Sequence, residues 1–286
     1  MTNTAYHLTL PAARTSSVVF ASPHSGARYD PRFLAQTVLD DHAIRSSEDA
    51  FVDLLFDCAP GFGAPFLSAA APRAYLDLNR SADELDPALI EGVRKIGHNP
   101  RVASGLGVIP RVVAGGRAIY RGKLSRAEAD HRLHAVWHPY HTRLQHLLNE
   151  AHAAFGQAIL IDCHSMPREA VESSARAAAR RPDVVLGDRF GASAAPEIVE
   201  RVEAAFAGAG LHVVRNTPFA GAYVTQAYGR PSRRQHAIQI EIDRGLYMHE
   251  ATIRPNANFD AMRVLLRKVV SEIASIGQQR LPLAAE

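Results

Sequence analysis

Two apolar runs in the sequence lead into a histidine followed by a serine. The run at residues 18–20 continues through a short turn to His24, and the run at residues 159–161 continues to His164. Short β-branched runs bounded by turn residues predict buried strands. In an open α/β sheet, ligands bind beyond the carboxyl ends of the strands. The sequence therefore predicts that two distant imidazoles meet where a metal ion or an acid–base pair would act.

Carboxylates at two further places could complete such a site. Two imidazoles, one carboxylate and an open position for water are the usual ligand set of a catalytic zinc ion. Glu48 and Asp49 lie at the start of a predicted helix, where negative side chains are also stabilised by the helix dipole. Glu241 lies within a third apolar strand, where an unpaired carboxylate is costly to bury. We predict that Glu241 either takes part in the chemistry or forms an ion pair with Arg244 or Arg80.

The same region of the sequence allows two competing interpretations. A serine nucleophile at Ser25 or Ser165 is disfavoured, because adjacent strand residues point to opposite faces and the chain has no GxSxG turn. A second metal cluster would use the four histidines from His131 to His141 on one long helix. That helix has no HExxH motif, and Pro139 disturbs its register. We expect its histidines to form a solvated or partly packed face.

The elements that must hold these residues alternate along the chain. Strands are predicted at 18–21, 73–78, 159–163, 184–186, 212–214 and 237–242, and helices at 51–58, 125–155, 196–207 and 259–276. A hairpin is expected within residues 99–122. No internal repeat or linker interrupts this alternation. One α/β domain over residues 1–286, with a mixed and mainly parallel sheet, is the expected architecture.

Composition limits the class of protein. The chain has 286 residues, of which 47% are hydrophobic, enough for one large core. Its net charge of +3 is spread out, and the basic stretch at 176–181 lacks aromatic partners, so nucleic-acid binding is not expected. Cys58 and Cys163 form no CxxC pair and are expected as core thiols. A cytoplasmic protein without a membrane partner is predicted, since no signal peptide or membrane span is apparent.

Eight short motifs distributed along the chain resemble those of one known family. They occupy residues 22–26, 47–53, 77–80, 107–111, 139–141, 161–167, 187–191 and 239–248. Together they are similar to the N-formylglutamate amidohydrolase (deformylase) family, whose fold resembles that of the zinc carboxypeptidases and aspartoacylases. This resemblance implies a three-layer α/β/α sandwich. It also implies zinc-dependent hydrolysis of the amide in an N-acyl acidic amino acid.

The resemblance also implies which residues would hold the metal ion. The first ligand falls on His24 and the last on His164. Zinc carboxypeptidases take a glutamate three residues after the first histidine, but this chain has Ala27 there. The third ligand is therefore expected from Glu48 or Asp49, and the family's pattern before the helix favours Asp49. Zinc is the expected metal, although another divalent ion suits the same ligands.

Around the metal, we hypothesise further roles, and the resemblance itself implies that of the Asn79–Arg80 pair. Glu241 would take a proton from water and pass it to the leaving amine. The Asn79–Arg80 pair would grip a substrate carboxylate or polarise the scissile carbonyl, and Arg111 and Arg244 are further candidates for binding carboxylates. The small-molecule substrate would be N-formyl-L-glutamate, giving formate and L-glutamate. Hydrolysis of another N-acyl amino acid or peptide, and non-enzymatic binding of metals or carboxylates, are the alternatives.

Overall fold

The computed structural model describes residues 4–94, 99–175 and 180–278, and it contains two sheets. The strands are β1 (Tyr6–Thr9), β2 (Val18–Ser22), β3 (Phe66–Ala69), β4 (Ala158–Met166), β5 (Val184–Gly187), β6 (Val213–Arg215), β7 (Gln235–Asp243), β8 (Met248–His249) and β9 (Arg254–Pro255). The α-helices are α1 (Pro31–Gln36), α2 (Val52–Phe56), α3 (Pro100–Ala103), α4 (Arg126–Arg132), α5 (His138–Phe155), α6 (Arg168–Ala175), α7 (Pro196–Gly208), α8 (Tyr223–Tyr228) and α9 (Phe259–Ile276).

The main sheet has seven strands in the order β1-β3-β2-β4-β7-β5-β6. The four central strands β3, β2, β4 and β7 are parallel to their neighbours in this group. Antiparallel pairing occurs between β1 and β3 and between β5 and β7. The prediction of a mixed, mainly parallel sheet is confirmed.

Helices cover both faces of this sheet. Alternate residues of β2 enter two different hydrophobic cores: Val18 and Phe20 face one, and Val19 and Ala21 face the other. The first core also contains side chains of α2, α7 and α9, and the second contains those of α5 and α8. Burial on both faces explains why these strands are continuous apolar runs rather than alternating ones. The result is the expected layer of strands between two layers of helices.

The predicted strand at 73–78 is wrong, and a strand at Phe66–Ala69 was not predicted. Residues 73–75 form a turn, in which the amides of Tyr75 and Leu76 donate to the carbonyl of Pro72. Leu76 and Leu78 are both buried in one core, although the segment that carries them is not a strand. Their spacing of two residues therefore resembles the alternation of buried and exposed residues in a strand. All four residues of β3 are buried, so its sequence carries no alternation to reveal it.

The predicted long helix is α4 and α5 joined by a π-helical turn at Leu133–Trp137. The proline ring of Pro139 removes the amide hydrogen that would bond four residues back. The amide of His138 donates instead to the carbonyl of Leu133, five residues back. The expected disturbance by Pro139 therefore takes the form of a wider turn. Gly156 ends α5 in a left-handed conformation, which agrees with the predicted end of the helix at residue 155.

Three further predictions concern the basic stretch, the segment 99–122 and membrane-spanning helices. Residues 176–179 of the basic stretch lie outside the described residues, while Arg180 pairs with Asp183. The segment 99–122 contains the short helix α3 and a bridge between Val112 and Ala118 rather than a regular hairpin. None of the helices described has the length and apolar character needed to cross a membrane.

Candidate metal centre

Three separate chain segments bring His24, Asp49 and His164 together at the carboxyl ends of the central strands. His24 lies two residues beyond β2, and His164 lies within β4, the parallel neighbour of β2. Asp49 lies three residues before α2, and its amide donates to the carbonyl of His24 at 3.0 Å. That backbone hydrogen bond ties the carboxylate segment to the histidine loop.

The ligand atoms of these three residues lie within 4.8 Å of one another. Asp49 Oδ2 is 2.9 Å from Nδ1 of His164 and 3.4 Å from Nδ1 of His24. The two imidazole rings stand edge to face, with centroids 4.7 Å apart. All three side chains are at least 97% buried. The cluster could bind a metal ion.

The far nitrogen of each imidazole faces a second carboxylate. His24 Nε2 lies 2.7 Å from Asp77 Oδ1, and His164 Nε2 lies 3.0 Å from Asp162 Oδ2. Metal-binding histidines generally give their other N–H to a carboxylate, which fixes the ring and strengthens the ligand. Here His24 Nε2 is hydrogen-bonded to Asp77 and His164 Nε2 faces Asp162, so both Nδ1 atoms are left to act as ligands. His24 Nδ1 is buried and has no hydrogen-bond partner among the described residues.

The charges around the cluster also suit a cation. Burial opposes ionisation of Asp49, but the hydrogen bond from His164 and the electrostatic attraction of the nearby His24 outweigh burial and hold its pKa well below the ordinary value. Burial would lower the pKa of His164, but the carboxylates of Asp162 and Asp49 raise it well above the ordinary value. The surroundings thus favour positive charge between these ligands. A divalent ion would take the place of the proton.

The alternative ligand Glu48 points away from the cluster. Its Oε1 accepts a hydrogen bond from the Tyr29 hydroxyl at 2.5 Å, and its Oε2 pairs with the Arg45 guanidinium at 3.0 Å. Glu48 therefore holds the segment before α2, while the adjacent Asp49 joins the histidines.

Glu241 lies in β7 directly opposite His164 of β4. Its Oε1 accepts a hydrogen bond from Gln239 Nε2 at 2.8 Å, and burial raises the pKa of Glu241 to about 7. Neither Arg244 nor Arg80 forms an ion pair with Glu241 among the residues described, and Arg244 pairs instead with Asp49 at 2.8 Å. A carboxyl group with this pKa can accept and release a proton near neutral pH.

A cavity of about 450 Å³ opens over the cluster and Glu241. Asn79, Arg80 and Arg244 also line it. Asn79 Nδ2 lies 3.3 Å from His164 Nε2, and Arg80 Nε donates to the carbonyl of Leu106 at 2.9 Å. Burial lowers the pKa of Arg80, yet its guanidinium still faces a cavity of the size that holds a small ligand.

Arg111 does not line the cavity. Its Nε pairs with Asp86 Oδ2 at 2.9 Å, which anchors the segment after α3. Two arginines that the sequence analysis missed, Arg73 and Arg101, take part in the cavity wall instead. Arg73 Nε pairs with Asp77 at 3.0 Å and so belongs to the surroundings of His24. Its misassignment to a strand concealed this role.

Asp162 was missed although the sequence contained a signal for it. It is fully buried in β4, two residues before His164 and therefore on the same face of the strand. The argument that singled out Glu241, a carboxylate inside an apolar strand, applies equally to Asp162.

The competing interpretations find no support in the geometry. The hydroxyl of Ser25 bonds to Ser22, and that of Ser165 accepts a hydrogen bond from Arg244. Among the residues described, His24, Asp49 and His164 form the one group of three or more potential ligands with such close donor atoms. The histidines of the long helix do not form another within that part of the chain.

Comparison with known proteins identifies a family. Residues 16–248 match the sequence model of the N-formylglutamate amidohydrolase family. N-formylglutamate deformylase of Pseudomonas aeruginosa is 32% identical, covering 92% of this chain and 94% of its own, and that of Pseudomonas putida is 28% identical with the same coverage. The crystal structure of N-formylglutamate amidohydrolase from Ralstonia eutropha aligns with a TM-score of 0.89 at 34% identity, covering 95% of this chain and 98% of that one.

Proposed function

The chain belongs to the N-formylglutamate amidohydrolase family, and we propose that it hydrolyses N-formyl-L-glutamate to formate and L-glutamate with a zinc ion at His24, Asp49 and His164. The observation that carries this proposal is the placement of Glu241 beside the three-residue cluster in one cavity. A ligand set and a titratable carboxyl group are the two components that metal-assisted amide hydrolysis requires. The family relationship supplies the substrate.

Zinc is proposed from the chemistry of the ligands. Two imidazole nitrogens and one carboxylate oxygen make up a common catalytic zinc set, and the carboxylates behind both histidines are typical of such sites. When bound, the metal supplies a Lewis acid that polarises the formyl carbonyl and makes a water molecule easier to deprotonate.

Glu241 is proposed to move the proton. Gln239 occupies Oε1, so Oε2 is the atom left to accept a proton from the attacking water. Cleavage of the C–N bond then requires a proton on the leaving nitrogen, and the protonated Glu241 supplies it. Because burial already raises the pKa of Glu241 to about 7, both the acceptance and the return of this proton are accessible near neutral pH.

The arginines of the cavity are proposed to recognise the two carboxylates of the substrate. The guanidinium of Arg80 is held through Nε and through Nη1, which donates to the carbonyl of Asn79 at 3.0 Å, so Nη2 remains for a ligand. Arg73 adds a second positive charge in the same wall. Arg244 already donates to Asp49, and we propose that it orients this metal ligand while adding positive charge beside the substrate. Planar guanidinium groups bind carboxylates strongly and with defined orientation.

The deciding experiment measures metal content and formate release on the same purified sample. We expect one zinc ion per chain, loss of formate release after chelation, and recovery with zinc. Comparing N-formylglutamate with N-acetylaspartate and short peptides tests the substrate. Full activity in metal-free protein would contradict the mechanism, and a marked preference for another substrate would contradict the proposed specificity. Several weakly bound metal ions that survive loss of His24 would instead support metal storage.

A further inference from the structure

Two side chains on one helical face hold the backbone on either side of Asn79. Trp137 Nε1 donates to the carbonyl of Arg80 at 2.9 Å, and His141 Nε2 donates to the carbonyl of Leu78 at 3.0 Å. We infer that Trp137 and His141 are positioning residues, which fix this backbone so that the Asn79 and Arg80 side chains reach the cavity. The inference rests on the proposed function, because Arg80 is there assigned to the substrate.

The direction of the His141 hydrogen bond follows from its surroundings. A carbonyl can only accept, so Nε2 must carry the hydrogen that reaches Leu78. Nδ1 then accepts from the Tyr228 hydroxyl, 2.8 Å away. Burial also lowers the pKa of His141 to about 3, which keeps the ring neutral over the physiological range. His141 is therefore a permanent donor of fixed orientation rather than a titrating group.

The π-helical turn aligns the two donors with the loop. Trp137 ends that turn and His141 follows four residues later, with ring centroids 4.1 Å apart. A π turn adds one residue, which rotates the following helix by about 100° relative to the preceding one. One ring from the π turn and one from α5 therefore both reach the backbone of residues 78–80. Turns of this kind are frequent at functional sites.

Other contacts show that the loop is fixed at several atoms. The Asn79 amide donates to Asp77 Oδ1 at 2.8 Å, and its Oδ1 accepts from the amide of Val224 at 2.8 Å. The Arg80 carbonyl, in contrast, is held by the Trp137 indole. Loss of the indole donor would leave this carbonyl without its partner, so the backbone that carries the Arg80 side chain would be held less firmly.

The test is a double-mutant cycle between Trp137 and Arg80. Trp137→Phe keeps an aromatic ring but removes the donor, and we expect kcat/KM for N-formylglutamate to fall 5- to 20-fold while metal content stays at the wild-type level. In an Arg80→Ala background the same change should have almost no further effect, because the side chain that it positions is already absent. His141→Phe should behave like Trp137→Phe, and His141→Gln, which keeps a donor, should recover most of the activity.

His152→Phe is the matched control, since His152 Nε2 bonds to the carbonyl of Arg233 at 3.0 Å from the same helix but far from the loop. It should leave kcat/KM unchanged. Equal losses from Trp137→Phe with and without Arg80, or an equal loss from His152→Phe, would show a general structural role and overturn the inference. An unaltered kcat/KM in Trp137→Phe would overturn this inference and leave the proposed function in place. A wild-type protein that releases no formate would remove the proposed function, and the inference with it.

Discussion

The two histidines at the strand ends and the histidines of the long helical segment 131–152 lie in different surroundings. Six histidines lie between residues 131 and 152, whereas the candidate metal centre uses only His24 and His164. On the helices, His134 is exposed and its Nδ1 bonds to the backbone carbonyl of Asp130. Both strand histidines are buried and have carboxylates at both nitrogens.

The two groups of histidines differ in what holds their imidazole rings. Helical spacing brings rings near each other, as for His134 and His138 with centroids 5.4 Å apart, but leaves them facing solvent. Parallel strands instead bring His24 and His164 to one edge, where buried carboxylates orient them. The one buried histidine of α5, His141, bonds to backbone and hydroxyl groups and has a structural role. Orientation by carboxylates, rather than the abundance of histidine, separates the two regions.

The largest expected effect comes from His164→Ala. Removing one of the three ligands should abolish both stoichiometric metal binding and formate release, to the assay background, because only two of the three proposed ligands would remain. His146→Ala, an exposed histidine of α5, serves as the matched control and should change neither quantity. Metal analysis with a formate assay checks both variants. A metal-loaded and active His164→Ala protein, or metal loss in His146→Ala, would reverse the comparison.

Glu241→Gln should separate metal binding from turnover. We expect a normal metal content with a kcat lowered by about 10²- to 10⁴-fold, since an amide cannot transfer the proton. Glu150→Gln makes the same chemical change on α5, where Glu150 pairs with Arg14, and should retain full activity. Steady-state kinetics on metal-loaded samples give the answer. A kcat within threefold of wild type would exclude Glu241 as the proton-transfer group.

Asp77→Asn tests whether carboxylates behind the histidines create the difference. The amide keeps the volume of Asp77 but withdraws the charge facing His24, so metal affinity should fall about 10- to 100-fold. Asp130→Asn, beside His134 on α4, is the control and should leave affinity unchanged. Competition with a chelator measures both. Equal affinities for Asp77→Asn and wild type would mean that the ligands alone determine binding.

The smallest expected effect is a pH dependence of stability with opposite signs in the two regions. In metal-free protein the pKa of Glu241 is raised to about 7, so its contribution to stability is present below about pH 4.5 and lost as pH rises through 7. The pKa of His141 is lowered to about 3, so stability is lost as pH falls below about 6.5.

Denaturant unfolding of chelated samples checks these signs. Relative to wild type, Glu241→Gln should gain about 2–3 kcal/mol in unfolding free energy between pH 5 and pH 8. His141→Gln should gain about 2 kcal/mol on going from pH 7 to pH 5. Parallel profiles for a variant and wild type would show that the substituted group does not titrate as described.

Much of the candidate site was predictable because its residues interrupt strong patterns. His24, His164 and Glu241 stand out where apolar strands end or are broken by a polar residue. Asp77 and Arg73 were hidden, because the burial of Leu76 and Leu78 in a turn resembles the alternation of a strand. Strand β3 was hidden because it is short and completely buried. The one-domain organisation and the cytoplasmic location remain predictions.

The sequence by itself determined the fold class and the family, and it predicted most of the candidate site residues, because periodicity and local motifs are properties of adjacent positions. The sequence favoured Asp49 over Glu48 only through the resemblance to the family, and the tertiary structure showed the physical difference, since Asp49 joins the histidines while Glu48 faces Tyr29. The tertiary structure also placed Arg111 outside the cavity and Arg73 and Arg101 in its wall. Local patterns placed the two histidines at the same edge of the sheet, but they could not show which arginines of distant loops would reach that edge.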